Sequence, residues 1–363
     1  MIGKLNYPCD ETEKLKASLT FTVFADFHYK ECMYLSSVAD MNTILESAKF
    51  NNAEFVIHGG DLCNDYSGSP ELVNSYLKND FDLPAYGVYG NHELETKGNS
   101  MAVVTPLLTN RSDSVIWGTA DGKIGDGSIG YYYFDKGDYR IVCTDSNYSY
   151  NSECGEWQHN AEASWGGPRG NIYSNSLSPM QLNWVEKVIT DAAERGKHCI
   201  VISHDTFNTD WNKHSPDSEA ICKIYQKANA VKKGTVIMSI NGHYHTNRMM
   251  MKDDVVFFDV NTVRNGFWQP LSEDHYTDDQ TFEYISYDAD GKELFNTTEP
   301  LKVLWQSTRT WFFDAPLYAT VRIFETGEIE IDGTRTKWIY SVEPDNATEY
   351  AMPEITSKTF KVY

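Results

Sequence analysis

The chain has 363 residues, 41% of them hydrophobic and 13% aromatic, enough apolar material for a substantial core and too much for a disordered chain. Its formal charge is 31 − 52 = −21, an acidic balance that repels nucleic-acid phosphates and disfavours a general DNA- or RNA-coating role. Seven cysteines, an odd number with no Cys-x-x-Cys spacing, argue against a disulfide scaffold and for a reducing compartment.

The stretch from Met1 to Lys16 is polar and lacks the apolar region of a signal peptide. No apolar run approaches the ~20 residues of a membrane span. The expectation is a cytoplasmic protein without a membrane partner. Thr20 to Ala25 read as a strand that stops at Asp26-Phe27-His28. Val38, Met41, Ile44/Leu45 and Ala48 recur at helical spacing. Phe55-Val56-Ile57 is the next strand and ends at Gly59-Gly60-Asp61. Pro70 to Leu77 reads as a helix with Ser69 as its N-cap. Ala85 to Tyr89 forms a third strand that delivers Gly90-Asn91-His92-Glu93. Strand, helix, strand, helix, strand predicts parallel β-α-β units. In open α/β sheets, ligands sit beyond the carboxyl ends of the strands, where each of these polar clusters falls.

Tyr131 to Asp135 and Tyr139 to Thr144 predict a hairpin closed by Lys136-Gly137-Asp138 and followed by Asp145-Ser146-Asn147. Residues 148–175 read as one long irregular segment, an insert or lid loop. Ser178-Pro179 opens a helix whose apolar face is Leu182, Val185, Val188/Ile189 and Ala192, with Gly196 as its stop. Cys199 to Ile202 is an apolar strand ending at Ser203-His204-Asp205. A helix around Glu219 to Ala228 leads to the strand Val236 to Ile240, which ends at Asn241-Gly242-His243-Tyr244-His245. Val255 to Val260, Thr281 to Tyr287, Leu317 to Phe324 and Glu328 to Ile331 predict further strands. The expected organisation is a core over 17–260 and a β-rich extension of the same domain over 261–363.

Five strand-end clusters thus carry Asp26 and His28, Asp61, Asn91 and His92, His204, and His243 with His245. The set offers carboxylate and amide oxygens and imidazole nitrogens, with no thiolate among them. That mixture suits Mn, Fe or Zn better than Ca or a structural cysteine-type zinc site. In extended backbone, residues two apart share a side. Asp26 and His28 are therefore expected to reach one ion together, and His243 and His245 to divide between two. Asp61, with two carboxylate oxygens, is suited to bridging a pair. Of the other histidines, His58 and His198 lie in strands and are expected to be structural. His159, His214 and His275 are expected to be solvated loop residues. Asn147, Tyr148, Thr206 and Asn208 follow strand ends and are candidate substrate contacts; Asp205 is a candidate support for His204.

In order, these blocks resemble the calcineurin-like metallophosphoesterase superfamily, in its phosphodiesterase-like branch. That superfamily carries Asp-x-His, Gly-Asp-x-x-Asp, Gly-Asn-His-Asp/Glu, a lone His and Gly-His-x-His. The match runs from residue 26 to 245, and Leu177-Ser178-Pro179-Met180-Gln181-Leu182-Asn183-Trp184 resembles the helix that precedes the lone histidine. The resemblance implies an α/β fold, a four-layer α/β/β/α sandwich, here with additional C-terminal strands. It also implies two divalent or trivalent transition-metal ions per chain (Mn, Fe or Zn). Asp26, His28, Asp61 and His245 would hold one ion, and Asp61, Asn91, His204 and His243 the other. His92 would be the phosphate contact and candidate proton donor. One departure stands at Asn64, where the superfamily has a second aspartate that supports this histidine; Asp65 follows. Position 64 is not the tyrosine of purple acid phosphatases, and Asp65-Tyr66-Ser67-Gly68 lacks the arginine of the protein phosphatases.

The function this implies is hydrolysis of a small phosphoester or phosphodiester by a water or hydroxide activated at a dinuclear metal centre. The partner is a small phosphorylated substrate. The alternatives are a phosphate- or nucleotide-binding regulatory module with weak catalysis, and a nuclease. The nuclease needs a basic groove, for which Lys213, Lys223, Lys227, Lys232 and Lys233 are the only cluster.

Overall fold

The computed structural model describes residues 16–29, 36–63, 69–94, 105–118, 129–151, 155–159, 176–211, 214–268, 279–287, 293–300, 310–341 and 352–363. Three parallel strands, β1 (Leu19–Phe24), β2 (Val56–His58) and β3 (Ala85–Gly87), are linked through helices α1 (Val38–Phe50) and α2 (Pro70–Leu77). This is the predicted alternation. The α1 start is a capping box: Ser37 Oγ accepts from Asp40 N, and the Asp40 carboxylate accepts from Ser37 N. Ser69 precedes α2 but makes no side-chain cap bond, so Pro70 in the first turn marks that start instead.

A second sheet contains β4 (Ile116–Trp117), the hairpin β5 (Tyr132–Lys136) and β6 (Tyr139–Cys143), then β9 (His198–Ile202), β10 (Val236–Asn241), β11 (Arg248–Lys252) and β12 (Val255–Asp259). Its order is β11-β12-β10-β9-β6-β5-β4, with β6, β9, β10 and β12 parallel. Between β6 and β9 come a short hairpin, β7 (Tyr148–Asn151) and β8 (Glu156–His159), and helix α3 (Pro179–Glu194); helix α4 (Ser218–Val231) precedes β10. The hairpin corrects the reading of 148–175 as wholly irregular. Residues 160–175 lie outside the described residues.

The two sheets pack face to face through aromatic side chains. The Phe134 ring of β5 stacks on Tyr86 of β3 at 3.8 Å, and Phe55 meets it edge-on. Tyr132 Oη donates to Gly87 O at 2.8 Å, so the seam also carries a polar tie. Helices α1 and α2 pack on the first sheet. Val185 and Ile189 of α3 and Ile221 and Tyr225 of α4 close a second core against Val201 and Val236. The protein is a mixed α/β fold, with the apolar spacing of each helix facing a sheet.

The remaining strands are β13 (Asn265–Trp268), β14 (Thr281–Tyr287), β15 (Glu293–Pro300), β16 (Thr310–Phe312), β17 (Ala319–Ile323), β18 (Glu328–Gly333) and β19 (Lys358–Lys361). Of these, β17 pairs antiparallel with β1, so the first sheet runs β19-β18-β17-β1-β2-β3. The C-terminal strands therefore extend the sheet that carries Asp26 and Asp61. Strand β11 escaped the sequence reading. Its turn into β12 is Asp253-Asp254, both left-handed (φ 51° and 60°), the geometry of a two-residue hairpin built here without glycine. Among the described residues, no helix is long and apolar enough to cross a membrane.

Candidate metal centre

The strand ends do not continue as extended chain. Asp26, His28, Asp61, His243 and His245 all adopt left-handed backbone, with φ of 51°, 50°, 52°, 73° and 51°. Such backbone costs a non-glycine residue on the order of 1–3 kcal/mol and persists only where surroundings enforce it. The enforcement is visible. Asp26 N donates to Gly60 O at 3.0 Å, His28 N to Asp61 O at 2.9 Å, and His243 N to the Asp26 carboxylate at 3.0 Å. Thr262 Oγ1 donates to Asp26 O at 2.6 Å. The pairs Asp26/His28 and His243/His245 thus converge through consecutive left-handed turns, not through the strand alternation expected from their spacing.

The side chains form overlapping groups: Asp26, His28 and His245; Asp61, His204 and His243; and His28, Asp61 and His92. Within the first, His28 Nε2 lies 2.8 Å from His245 Nε2, and His245 Nε2 lies 3.4 Å from Asp26 Oδ1. Within the second, His204 Nε2 lies 3.2 Å from both Asp61 Oδ2 and His243 Nδ1. Asp61 is common to both halves, with Oδ2 3.9 Å from His28 Nε2 and Oδ1 accepting from His92 N at 2.9 Å. Burial alone raises the Asp61 carboxyl, but the imidazoles of His204, His92 and His28 hold it well below the usual carboxylate range. Burial pushes His28 and His243 down, towards the neutral form that binds metals.

The donor set fits cations. His204 Nδ1 donates to Gly59 O at 2.7 Å, and His245 Nδ1 to Asn265 O at 2.8 Å. Because a carbonyl only accepts, each Nδ1 carries a proton, and in the neutral imidazole each Nε2 turns a lone pair inward. Those lone pairs face the Asp61 and Asp26 carboxylates at 3.2 and 3.4 Å. Carboxylates and imidazoles crowded in a buried site call for positive charge between them, which a proton on His204, pushed up by the Asp61 charge against the pull of burial, or a cation supplies. The carbonyl backing is also the usual support of a ligating imidazole.

Asn91 is buried beside Asp61's turn. The His92 side chain is 19% exposed, against 0–5% for His28, His204 and His245, with Nε2 4.0 Å from Asp61 Oδ2; it stands at the open side. Glu93 is fully buried and accepts from Gly90 N at 2.6 Å, Asp61 N at 3.0 Å and Cys63 N at 3.2 Å. It therefore ties the Asp61 turn to the Asn91 turn, a role its position in the sequence left open. Burial and the Asp61 charge push its carboxyl up to about 7, against the pull of the donors at Gly90 and Cys63. Gly90 permits the approach of the two turns: a Cβ there would lie 2.0 Å from Asp61 Oδ1.

The sequence from 19 to 247 matches the family described as calcineurin-like phosphoesterase. The chain belongs to that family. Among solved structures, this phosphoesterase is similar to a dimetal phosphatase from Danio rerio, with a TM-score of 0.52 and 12% identity, covering 88% of this chain and 96% of that one. It is also similar to GAP50, the anchor in the inner membrane complex of Plasmodium, with a TM-score of 0.45 and 10% identity, covering 93% and 90% of the two chains. At such identities the likeness is one of fold. No curated protein matches the sequence.

Around the centre of this phosphoesterase the other candidates part company. Asp205 does not back His204, whose outer nitrogen is taken by Gly59 O. Its Oδ1 instead faces His243 Nε2 at 3.7 Å, and its Oδ2 accepts from Ser146 Oγ at 2.6 Å. Thr206 and Asn208 are fully buried and serve their own turn: Asn208 N donates to Thr206 Oγ1 at 3.2 Å, and Asn208 Nδ2 points at Met250 Sδ. Asn147 is buried against Asp145, and Tyr148 lies in β7 with its ring edge-on to His159. Asn64 and His275 lie outside the described residues.

His58 is fully buried in β2, where burial pushes it down to about 3. His198 donates through Nδ1 to Gly234 O at 2.5 Å and stacks on Tyr363. Both are structural in that sense. His159 is the clear correction: it is 1% exposed, with Nε2 2.7 Å from Asp145 Oδ2. A lone histidine in a polar segment gave no signal of a buried partner fourteen positions earlier. The buried cysteines Cys143 and Cys199 are free thiols.

Proposed function

We propose that this chain is a hydrolase of small phosphoesters or phosphodiesters that works with two transition-metal ions, Mn, Fe or Zn. The observation that carries the reading is the convergence of Asp26, His28 and His245 in one group and of Asp61, His204 and His243 in a second, with His28 and Asp61 meeting again beside His92. Asp26, His28, Asp61 and His245 would hold one ion; Asp61, Asn91, His204 and His243 the other. Such a pair supplies Lewis acidity towards a phosphoryl oxygen and lowers the pKa of water.

The chain's own residues do the rest. Asp61 holds the two halves at one spacing. Gly59 O and Asn265 O fix the tautomers of His204 and His245. His92, at the open side, is placed to contact the phosphoryl group and to protonate the leaving oxygen. Lys213 lies outside the described residues; the other four lysines do not support a nuclease groove, since Lys223, Lys227 and Lys233 pair with Glu219, Glu186 and Asp254, and Lys232 donates to Gly196 O.

A rim beside His243 favours a leaving group that carries a flat ring. The Tyr244 ring lies 4.6 Å from His243, Trp211 lies 4.6 Å from Tyr244, and the Arg248 guanidinium sits 5.1 Å above Trp211. All three residues are half-buried, and bases and aryl groups stack on such surfaces.

The test is elemental analysis of the purified chain with a paired panel of monoesters and diesters, alkyl and aryl. Chelation is expected to abolish turnover, and readdition of Mn, Fe or Zn to restore it. Turnover that survives complete metal removal would refute the reading. His92→Ala is expected to keep both ions and to lose about 10²–10⁴-fold in turnover on alkyl esters, whose leaving groups need a proton. Aryl esters with good leaving groups lose far less. Equal losses on both substrate types would remove His92 from proton transfer.

A further inference from the structure

Residues 145–147, at the carboxyl end of β6, form a buried polar hub that the proposed chemistry does not use. The main chain of Asp145 is clamped by Gln181 of α3: its N–H donates to Gln181 Oε1 at 2.8 Å, and its carbonyl accepts from Gln181 Nε2 at 2.7 Å. The Asp145 carboxylate is held from two directions. Oδ1 accepts from Asn147 N and Nδ2, both at 3.1 Å, and Oδ2 lies 2.7 Å from His159 Nε2 of β8. Asp145, Ser146 and Gln181 are completely buried, and His159 nearly so. Next to this clamp, the buried Ser146 hydroxyl donates to Asp205 Oδ2 at 2.6 Å. The other Asp205 oxygen faces His243 Nε2 at 3.7 Å, while His243 Nδ1 points into the centre, 3.2 Å from His204 Nε2.

This arrangement sets His243 apart. His204 and His245 donate from their outer nitrogens to main-chain carbonyls at 2.7 and 2.8 Å; the outer nitrogen of His243 instead faces a carboxylate, at 3.7 Å, longer than a hydrogen bond. The negative charge so placed favours the tautomer with its proton on that side and makes the inner nitrogen a stronger donor. We propose that His159, Asp145, Ser146 and Asp205 form a positioning relay. It orients His243 and so sets the affinity of the half of the centre that His243 serves, independently of the half formed by Asp26, His28 and His245. None of the four touches the reacting atoms. The proposal rests on the two-ion reading above.

The experiment is titration of the full metal-free chain with Co(II), followed by calorimetry and by the visible spectrum of each bound ion, with thermal unfolding of every variant in parallel. Wild-type chain is expected to take up two ions. Ser146→Ala removes one hydroxyl, and His159→Ala removes the partner of Asp145. Each is expected to weaken one of the two ions by about 10- to 100-fold, the range seen when support behind a ligand is lost, and to leave the other unchanged. His159→Gln keeps an N–H that reaches Asp145 and is expected to restore most of that affinity. Should His159→Ala fail to fold, Ser146→Ala alone decides. Equal weakening of both ions, or no change in either, would overturn the relay while leaving the two-ion reading intact. A wild-type chain that binds no Co(II) would overturn both.

Discussion

Asp61→Asn is expected to empty both halves of the centre and to lower turnover by about 10³-fold or more, beyond the cost of losing one preorganised electrostatic group. The reason is position. The carboxylate groups with His204 and His243 and again with His28 and His92, so it reaches both proposed halves: its Oδ2 is 3.2 Å from His204 Nε2 and 3.9 Å from His28 Nε2. Asparagine keeps the shape but offers one neutral oxygen and turns an N–H₂ group towards the ring nitrogens. It also removes the charge that raises the buried His204 well above the usual imidazole range. Elemental analysis and steady-state kinetics on the purified variant check this. A variant that retains two ions and wild-type turnover would remove Asp61 as the bridge.

Gly90→Ala is expected to be nearly as damaging without replacing any candidate ligand. The added methyl would lie 2.0 Å from Asp61 Oδ1 and 2.4 Å from Asp61 N. The second contact is main chain, and that main chain is already tied to Glu93 and held left-handed. Asp61 must therefore shift as a unit. Overpacking of this kind costs about 1–3 kcal/mol of stability, and the displaced carboxylate should lose metal from both halves. Gly59→Ala is the control, since its methyl would come no closer than 3.1 Å, to the Ala25 side chain, and would meet the main chain only at 3.6 Å, at Gly242 N. Thermal unfolding and metal content of the two variants, side by side, decide the matter. Gly90→Ala with unchanged metal content would show that the close approach of the turns is dispensable.

Much of this was legible before any coordinates. Strands β1, β2, β3, β5, β6, β9 and β10 and the four helices follow from apolar periodicity, which depends on neighbours a few positions apart. The candidate ligands stood out for the same reason: residues such as Asp26 and His28 or His243 and His245 are close in sequence, at the ends of recognisable strands. Where periodicity was weak, the reading failed. The β7–β8 hairpin lies in a polar, glycine-rich stretch, and the β11–β12 turn lacks the glycine that usually marks one.

By itself, then, the sequence determined the α/β class, the ligand types and their order along the chain, because these are properties of residues and of short spacings. Only the tertiary structure decided how the ligands meet. The left-handed turns at Asp26, His28, Asp61, His243 and His245 are imposed by hydrogen bonds between segments, not by local preference. Glu93 as the tie between two turns, Asp205 behind His243 rather than His204, and His159 buried on Asp145 are all contacts between separate elements. A buried polar group must find a partner or a charge. Which partner it finds depends on what the sheets bring within 3 Å, and a linear pattern does not carry that distance.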